Sequence, residues 1–172
     1  MARASHDDYA GNAARAARAL PQPVSLCGWS IGGLVVLQAS QRIRPHSVIL
    51  LEPSPPAEVQ GIHPAVEIKN GTYDPEDTYG PFPPDMRSRP ESSRARAERK
   101  HGISVPSVPC PSLVAYGNEY REQRGMRIAR LYNSQELYFP GANHWELVRS
   151  PVVRAAIARC LLPGHNPEHL RE

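Results

Sequence analysis

Short apolar runs alternate along this chain with segments of helical spacing, and this alternation limits the folds that it can adopt. Residues 48–51 form an unbroken apolar run, which is typical of a parallel strand covered on both faces. Three more strands are predicted, in VSLCGWS, SLVAYGNE and ELYFPGANH, and helices in DDYAGNAARAARAL, IGGLVVLQASQRI and SPVVRAAIARCLL. Because parallel strands are joined by crossover helices, we expect an α/β fold with a mostly parallel sheet of about four strands flanked by helices.

The segment 53–109 does not fit this alternation. It contains most of the 19 prolines, and proline disrupts both strands and helix interiors, so GTYDPEDTYGPFPPDM is expected to form neither. Within the segment, ESSRARAERKHG predicts a short helix that ends at Gly102. We interpret the chain as a single domain, residues 1–172, with 53–109 inserted as a cap over a site. Four apolar side chains of the cap are candidates to line that site or to pack the cap onto the core: Tyr73, Tyr79, Phe82 and Met86.

Composition excludes several classes of protein. The formal net charge is +3 and 22% of residues are charged, without the basic excess typical of nucleic-acid binding. No apolar N-terminal region indicates a signal peptide, and no run approaches the roughly 18 apolar residues of a membrane span. We therefore expect a soluble, cytoplasmic protein with no nucleic-acid or membrane partner. The three cysteines are far apart, which favours reduced, buried thiols over a metal site.

Ser30 lies in CGWSIGG, where a predicted strand meets a predicted helix. In an elbow of the G-x-S-x-G type, here Gly28, Trp29, Ser30, Ile31 and Gly32, the serine oxygen is exposed and the two small flanking residues allow the turn to close. The elbow also places the serine at a helix N-terminus, where the Ile31 N–H can stabilise an oxyanion. We interpret Ser30 as a nucleophile; the alternative is a serine in an ordinary turn.

A nucleophilic serine needs a base to take its proton. Of the seven histidines, His144 is the best candidate, because it follows the last predicted strand in FPGANHWELVRSP and precedes the final helix. The other histidines lie near the chain ends, before a strand or in the segment 53–109. The alternative for His144 is a structural histidine that bonds a backbone carbonyl.

The ordered set GWSIGG, VILLEP, PSLVAYG and FPGANHW resembles the α/β-hydrolase fold family. The resemblance covers most of the chain, from the nucleophile strand to the C-terminal helix. It implies Ser30 as nucleophile, His144 as general base and 53–109 at the position of the family's cap. It also implies a serine hydrolase that acts on small carboxylic esters, lactones or related acyl compounds through an acyl-enzyme, with no metal or organic cofactor.

The acid that orients His144 is less clearly marked. In many relatives it is an aspartate three residues after the glycine that ends a strand; counted from Gly117, that position is Tyr120, which cannot act as a carboxylate does. Glu119 is one residue earlier, and Glu52, at the end of the preceding strand, matches an alternative location in the same family. We favour Glu119, because a loop shifts more easily than a strand end, with Glu52 as the alternative acid.

The resemblance also predicts an open sheet edge. Family members usually have several strands before the helix that leads to the nucleophile strand, and an early loop supplies a second oxyanion donor. Here the strand 24–27 is expected at an edge, where a second copy pairs to form a homodimer or the N-terminal segment folds over it. The third alternative is a shortened relative with impaired catalysis. Loss of one oxyanion donor costs on the order of 100-fold to 1,000-fold in turnover, so weak activity is compatible with an intact pair of Ser30 and His144. A non-catalytic binding module and an acyltransferase are the alternative functions.

Overall fold

The computed structural model describes residues 3–67, 71–76, 81–86, 89–118 and 120–161. Its strands, in chain order, are β1 (Ser25–Trp29), β2 (Ser47–Leu51), β3 (Thr72–Tyr73), β4 (Glu91–Ser92), β5 (Ser112–Tyr116) and β6 (Gln135–Tyr138). The central sheet has the order β1-β2-β5-β6, and each neighbouring pair in it is parallel. The predicted α/β fold with a parallel sheet of four strands is confirmed for the described residues.

The helices of the described residues cover both faces of this sheet. They are α1 (His6–Arg18), α2 (Ile31–Ile43), α3 (Ala57–Gln60), α4 (Ser93–His101), α5 (Met126–Tyr132), α6 (Glu146–Arg149) and α7 (Pro151–Leu161), with a π-helical turn at Arg121–Gly125 before α5. The apolar faces of α1, α2 and α5 pack on one side of the sheet and that of α7 on the other. The architecture is therefore three layers, with the sheet in the middle.

β2 is the strand on which the two layers meet. All five of its residues are buried. Val48 and Leu50 pack towards α1, α2 and α5, while Ile49 and Leu51 pack towards α7, as the alternation of side chains along a strand requires. Full burial of one such side chain contributes about 1.5–3 kcal/mol. The apolar run 48–51 therefore places the end of β2 firmly in the middle of the molecule.

β1 lies at the edge of the sheet. Among the described residues it pairs with β2 alone, and the described N-terminal residues form α1, which packs against α2 and α4 instead of adding a strand there. Ser25 and Cys27 on β1 are exposed, because no described helix covers that face of the strand. The expectation of buried cysteines is therefore wrong for Cys27, and Cys110 and Cys160 are half-buried. The open edge predicted from the sequence is present, and a homodimer through it stays a prediction.

The segment between β2 and β5 contains α3, the two-residue strands β3 and β4, and α4. The prediction that a helix ends at Gly102 is correct, because α4 ends at the preceding residue and Gly102 has a φ of 123°. The prediction that 71–86 forms no strand needs a correction. β3 pairs in antiparallel fashion with β4, which the sequence did not indicate because two residues carry no periodicity. Residues 77–80 of the cap, with Tyr79, lie outside the described residues.

No helix within the described residues has the length and apolar character needed to cross a bilayer.

His6, the first residue of α1, is a buried titratable group in the layer formed by α1, α2 and α4. Its side chain is 1% exposed, and its Nδ1 lies 2.6 Å from Oε1 of Gln38 on α2. Nε2 has no hydrogen-bond partner among the described residues. Burial lowers the pKa of His6 below its ordinary value of 6.5, against the opposing influence of Gln38 and the nearby carboxylates of Glu91 and Glu98, while Arg99 acts with burial.

We expect the free energy of unfolding to fall as the pH drops below about 6.5. In that range the unfolded chain takes up a proton that the folded chain excludes, so stability is lost on acidification by up to about 1.4 kcal/mol per pH unit from this group. Thermal unfolding at pH 7.5 and pH 5.0 measures the loss in the wild type and in His6→Asn, which should lose less. His46→Asn, at an exposed histidine, is the control. Equal pH dependence in all three proteins would contradict the assignment.

Candidate active site

Ser30 occupies a strained turn between β1 and α2. Its φ of 54° and ψ of −124° lie in a region that residues other than glycine seldom adopt. Backbone hydrogen bonds hold the turn from two sides: the Ser30 N–H donates to the Leu51 carbonyl at 3.0 Å, and the Ser30 carbonyl accepts from Ser54 N–H at 2.8 Å. The Ser30 side chain makes no capping hydrogen bond to α2. Its hydroxyl is therefore not used as a helix cap, which is the usual structural role of a serine at this position.

The glycines around Ser30 are under different steric demands. A Cβ on Gly28 would lie 2.3 Å from the carbonyl oxygen of Gly32, and a Cβ on Gly33 would lie 2.4 Å from Cβ of Pro53. A Cβ on Gly32 would meet no described heavy atom within 4 Å. The sequence argument that both Gly28 and Gly32 must be small is thus correct for Gly28 alone. The carbonyl of Gly32 lies against Gly28, whereas a side chain at position 32 would point into space that no described atom fills.

Ile31 is the first residue of α2. The first N–H groups of a helix have no acceptor within the helix, and the helix dipole makes this end favourable for negative charge. The structure therefore places the Ile31 N–H directly after Ser30 at a helix N-terminus, as the sequence analysis expected.

His144 is paired with a buried carboxylate. Its Nδ1 lies 2.7 Å from Oε2 of Glu52, which follows β2 and is completely buried. The other carboxylate oxygen, Oε1, accepts a hydrogen bond from Gly117 N–H at 2.8 Å. A neutral His144 that donates from Nδ1 to Glu52 carries its lone pair on Nε2, the tautomer required of a general base.

The acid expected at Glu119 lies outside the described residues. The structure brings the alternative acid, Glu52, to His144 instead. Glu52 has a φ of 39°, so the end of the strand departs from regular geometry where it brings the carboxylate to His144. Tyr120, at the position where many relatives have an aspartate, places its ring 5.4 Å from the His144 ring, and it therefore packs against the histidine without supplying a carboxylate.

Gly117, the glycine from which the position of the acid was counted, is itself part of the site. A Cβ there would lie 1.9 Å from the carbonyl oxygen of Ala142 and 3.3 Å from Oε1 of Glu52. The loop that carries His144 thus rests on the bare backbone of Gly117, whose N–H is also the second donor to Glu52. A glycine directly after a buried strand is the signal that could have revealed this contact.

Aromatic side chains enclose His144 on the side of the elbow. The Trp29 ring lies 4.6 Å from the His144 ring, and Trp29 Nε1 donates to the His144 carbonyl at 3.0 Å. Trp145 lies 5.3 Å from Trp29, and the cap residue Phe82 meets Trp145 edge-on at 4.5 Å. Trp29 therefore ties the loop of the histidine to the turn that carries Ser30.

The described part of the segment 53–109 contacts this loop at a second point. Arg149 of α6 pairs with Asp85 through two contacts, at 3.0 Å from Nε to Oδ2 and 2.9 Å from Nη2 to Oδ1. Of the four side chains of this segment singled out in the sequence, Phe82 packs against Trp145, which follows His144 in the chain. Tyr73 lies instead beneath the Arg96 guanidinium, 3.3 Å from its ring centroid.

No family model and no curated protein sequence matches this chain. Solved structures are similar to it. The structure of a thermophilic esterase has a TM-score of 0.62 at 14% sequence identity, and the similarity covers 94% of this chain and 74% of that one. The chain has the α/β-hydrolase fold. Its β1, β2, β5 and β6 supply four parallel strands of this fold.

Two further structures share this α/β-hydrolase fold. One is the N-acyl homoserine lactonase AidH complexed with N-butanoyl homoserine, with a TM-score of 0.59, 16% identity and coverage of 94% of this chain and 73% of that one. The other is Est1E from Butyrivibrio proteoclasticus with bound ferulic acid, with a TM-score of 0.54, 19% identity and coverage of 91% and 70%. At these identities the likeness establishes the fold.

We expect Gly28→Ala and Gly32→Ala to have opposite effects on stability. Alanine at position 28 collides with backbone atoms and should lower the free energy of unfolding by more than about 2 kcal/mol. Alanine at position 32 has room and should change it by less than about 1 kcal/mol, in the stabilising direction. Urea unfolding of both variants measures the difference. An equal loss in the two would contradict the described geometry of the turn.

Proposed function

We propose that this protein is a serine hydrolase that acts on carboxylic esters, lactones or related acyl compounds. The observation that carries the proposal is the contact of 2.7 Å between His144 and the buried Glu52, in a structure where Trp29 connects the loop of His144 to the strained turn of Ser30. A completely buried carboxylate with one N–H donor and one imidazole partner is costly to build. The arrangement is explained if Glu52 orients His144 as a general base.

In the proposed reaction, Ser30 Oγ attacks the acyl carbon while His144 Nε2 takes its proton. Glu52 holds the imidazole in the correct tautomer and stabilises the imidazolium that forms. The Ile31 N–H donates to the oxygen of the tetrahedral intermediate. The imidazolium then protonates the leaving alcohol, and an ester forms between Ser30 and the acyl group. Water, activated by the same histidine, releases the acid and restores the serine.

The surroundings of His144 fit an acyl substrate with an apolar part. Trp29, Trp145 and Phe82 form a continuous series of ring contacts that begins at His144. Such rings provide large apolar surfaces with little loss of side-chain entropy on binding. The proteins that share the fold include an esterase and a lactonase, which agrees with acyl chemistry of this kind.

A fluorophosphonate probe tests the nucleophile directly. We expect stoichiometric labelling of Ser30, seen as one added probe mass in the intact protein, and its loss in Ser30→Ala and His144→Ala. Ser30→Ala should keep the circular dichroism spectrum and the melting temperature of the wild type. His144→Ala removes a partner of the buried Glu52 carboxylate, so it should keep the spectrum but melt at a lower temperature. Absence of labelling in the well-folded wild type would overturn the proposal and favour the alternative of a non-catalytic binding module.

The identity of the acid is tested by a matched pair of substitutions. Glu52→Gln leaves His144 without a carboxylate and in the wrong tautomer, and should lower kcat by roughly 1,000-fold to 10,000-fold. Glu119→Gln makes the same chemical change at the other candidate and should leave kcat near the wild-type value. Steady-state hydrolysis of a 4-nitrophenyl ester measures both. The reverse pattern would assign the role to Glu119.

A further inference from the structure

A π-helical turn lies beside the candidate active site. It spans Arg121–Gly125 and leads into α5, shortly after the end of β5. Such turns make up well under about 1% of residues in proteins and are frequent at functional sites. A Cβ on Gly125 would lie 2.4 Å from the ring of Tyr116. The turn therefore sits directly on the last residue of β5, and its position is fixed by the sheet.

This turn carries a cation that contacts a neighbour of His144. The guanidinium carbon of Arg124 lies 4.1 Å from the Tyr120 ring centroid, and the Tyr120 ring lies 5.4 Å from the His144 ring. Arg124 and the candidate base thus both contact the same aromatic side chain. Arg124 is also half-buried, which strengthens its interactions relative to those of a fully solvated side chain.

Within the described residues, Arg124 contacts the Tyr120 ring and forms no ion pair. In the parts of the chain that the structure describes, no carboxylate lies within ion-pairing distance of its guanidinium, in contrast to Arg149, which pairs with Asp85. Nearby Glu136 accepts a hydrogen bond from the Tyr116 hydroxyl, and Glu122 on the same turn is exposed. The planar guanidinium is well suited to a carboxylate or phosphate, which it can bind through two hydrogen bonds.

We propose that Arg124 recognises an anionic group on the substrate, so that the preferred substrates are acyl compounds with a carboxylate or phosphate at the end distant from the reacting bond. This inference rests on the proposed function, because it takes Ser30 and His144 as the reacting centre. The Tyr120 ring contacts both the guanidinium and the His144 ring and thereby holds Arg124 near the reacting centre.

Hydrolysis of two matched esters tests the proposal. The wild type should hydrolyse 4-nitrophenyl hydrogen glutarate with a kcat/KM at least about tenfold above that for the neutral 4-nitrophenyl pentanoate, the gain expected from one charge-assisted contact. Arg124→Gln should abolish this preference and Arg124→Lys should keep part of it. Arg127→Gln, at an exposed arginine three residues further on, removes the same charge and should leave the preference unchanged. Equal preference in the wild type and Arg124→Gln would overturn the proposal.

Binding to the Ser30→Ala protein separates this proposal from the hydrolase proposal. Titration with monomethyl glutarate, followed by calorimetry, should give an affinity that falls at least about tenfold in the double variant with Arg124→Gln. Binding without any ester turnover in the wild type would sustain the anion site and overturn the hydrolase. Turnover without such binding would do the opposite. Inorganic phosphate that binds more tightly than monomethyl glutarate would assign the anionic group as a phosphate.

Discussion

The buried carboxylate of Glu52 connects the parts of the molecule on which the candidate site depends. A charged group without water costs several kcal/mol unless its oxygens are occupied, and here Gly117 N–H occupies one and His144 the other. The end of β2, the end of β5 and the loop after β6 must therefore stay in one arrangement. If any of the three moves, a carboxylate oxygen deep in the protein loses its partner. The geometry of His144 is in this sense a condition of folding as well as of chemistry.

The two strained backbone positions of the site belong to neighbouring strand ends. Ser30 follows β1 and Glu52 follows β2, and both have positive φ. Each such residue costs on the order of 1–3 kcal/mol. Their N–H groups continue the hydrogen bonding of the sheet, from Ser30 to Leu51 and from Glu52 to Ala115. Hydrogen bonds of the parallel sheet thus stabilise both unfavourable backbone conformations at the strand ends, where the side chains of Ser30 and Glu52 lie.

Much of the fold and part of the site follow from the sequence. The apolar run 48–51 and the segment 31–43 correspond closely to β2 and α2. In both segments, the secondary structure that the residues prefer locally is also the one that buries their apolar side chains. The turn of Ser30 could be predicted for the same reason, since the motif stands between two such elements. The sequence was a weaker guide to which carboxylate pairs with His144. Glu52 and Glu119 are both close to strand ends, and sequence spacing alone does not tell which backbone will adopt the strained turn.

Other features depend on contacts between distant residues. The π-helical turn and α5 went unpredicted, although Asn133, with a φ of 49°, ends that helix in the manner of a common stop signal. The role of Gly117 depends on the approach of Ala142, and the double contact of Trp29 depends on where His144 lies. No local pattern encodes these approaches, because each arises only after the strands have been ordered in the sheet.

The attachment of the segment 81–86 to α6 and Trp145 has a consequence for access. The Asp85–Arg149 pair has side chains that are 59% and 46% exposed, and an ion pair this open to water contributes at most about 1 kcal/mol. One ring contact, between Phe82 and Trp145, adds a similar amount. These two contacts are therefore weak, and dissolved salt weakens the ion pair further. Because Trp145 follows His144 directly in the chain, a shift of segment 81–86 acts on the loop that carries the candidate base.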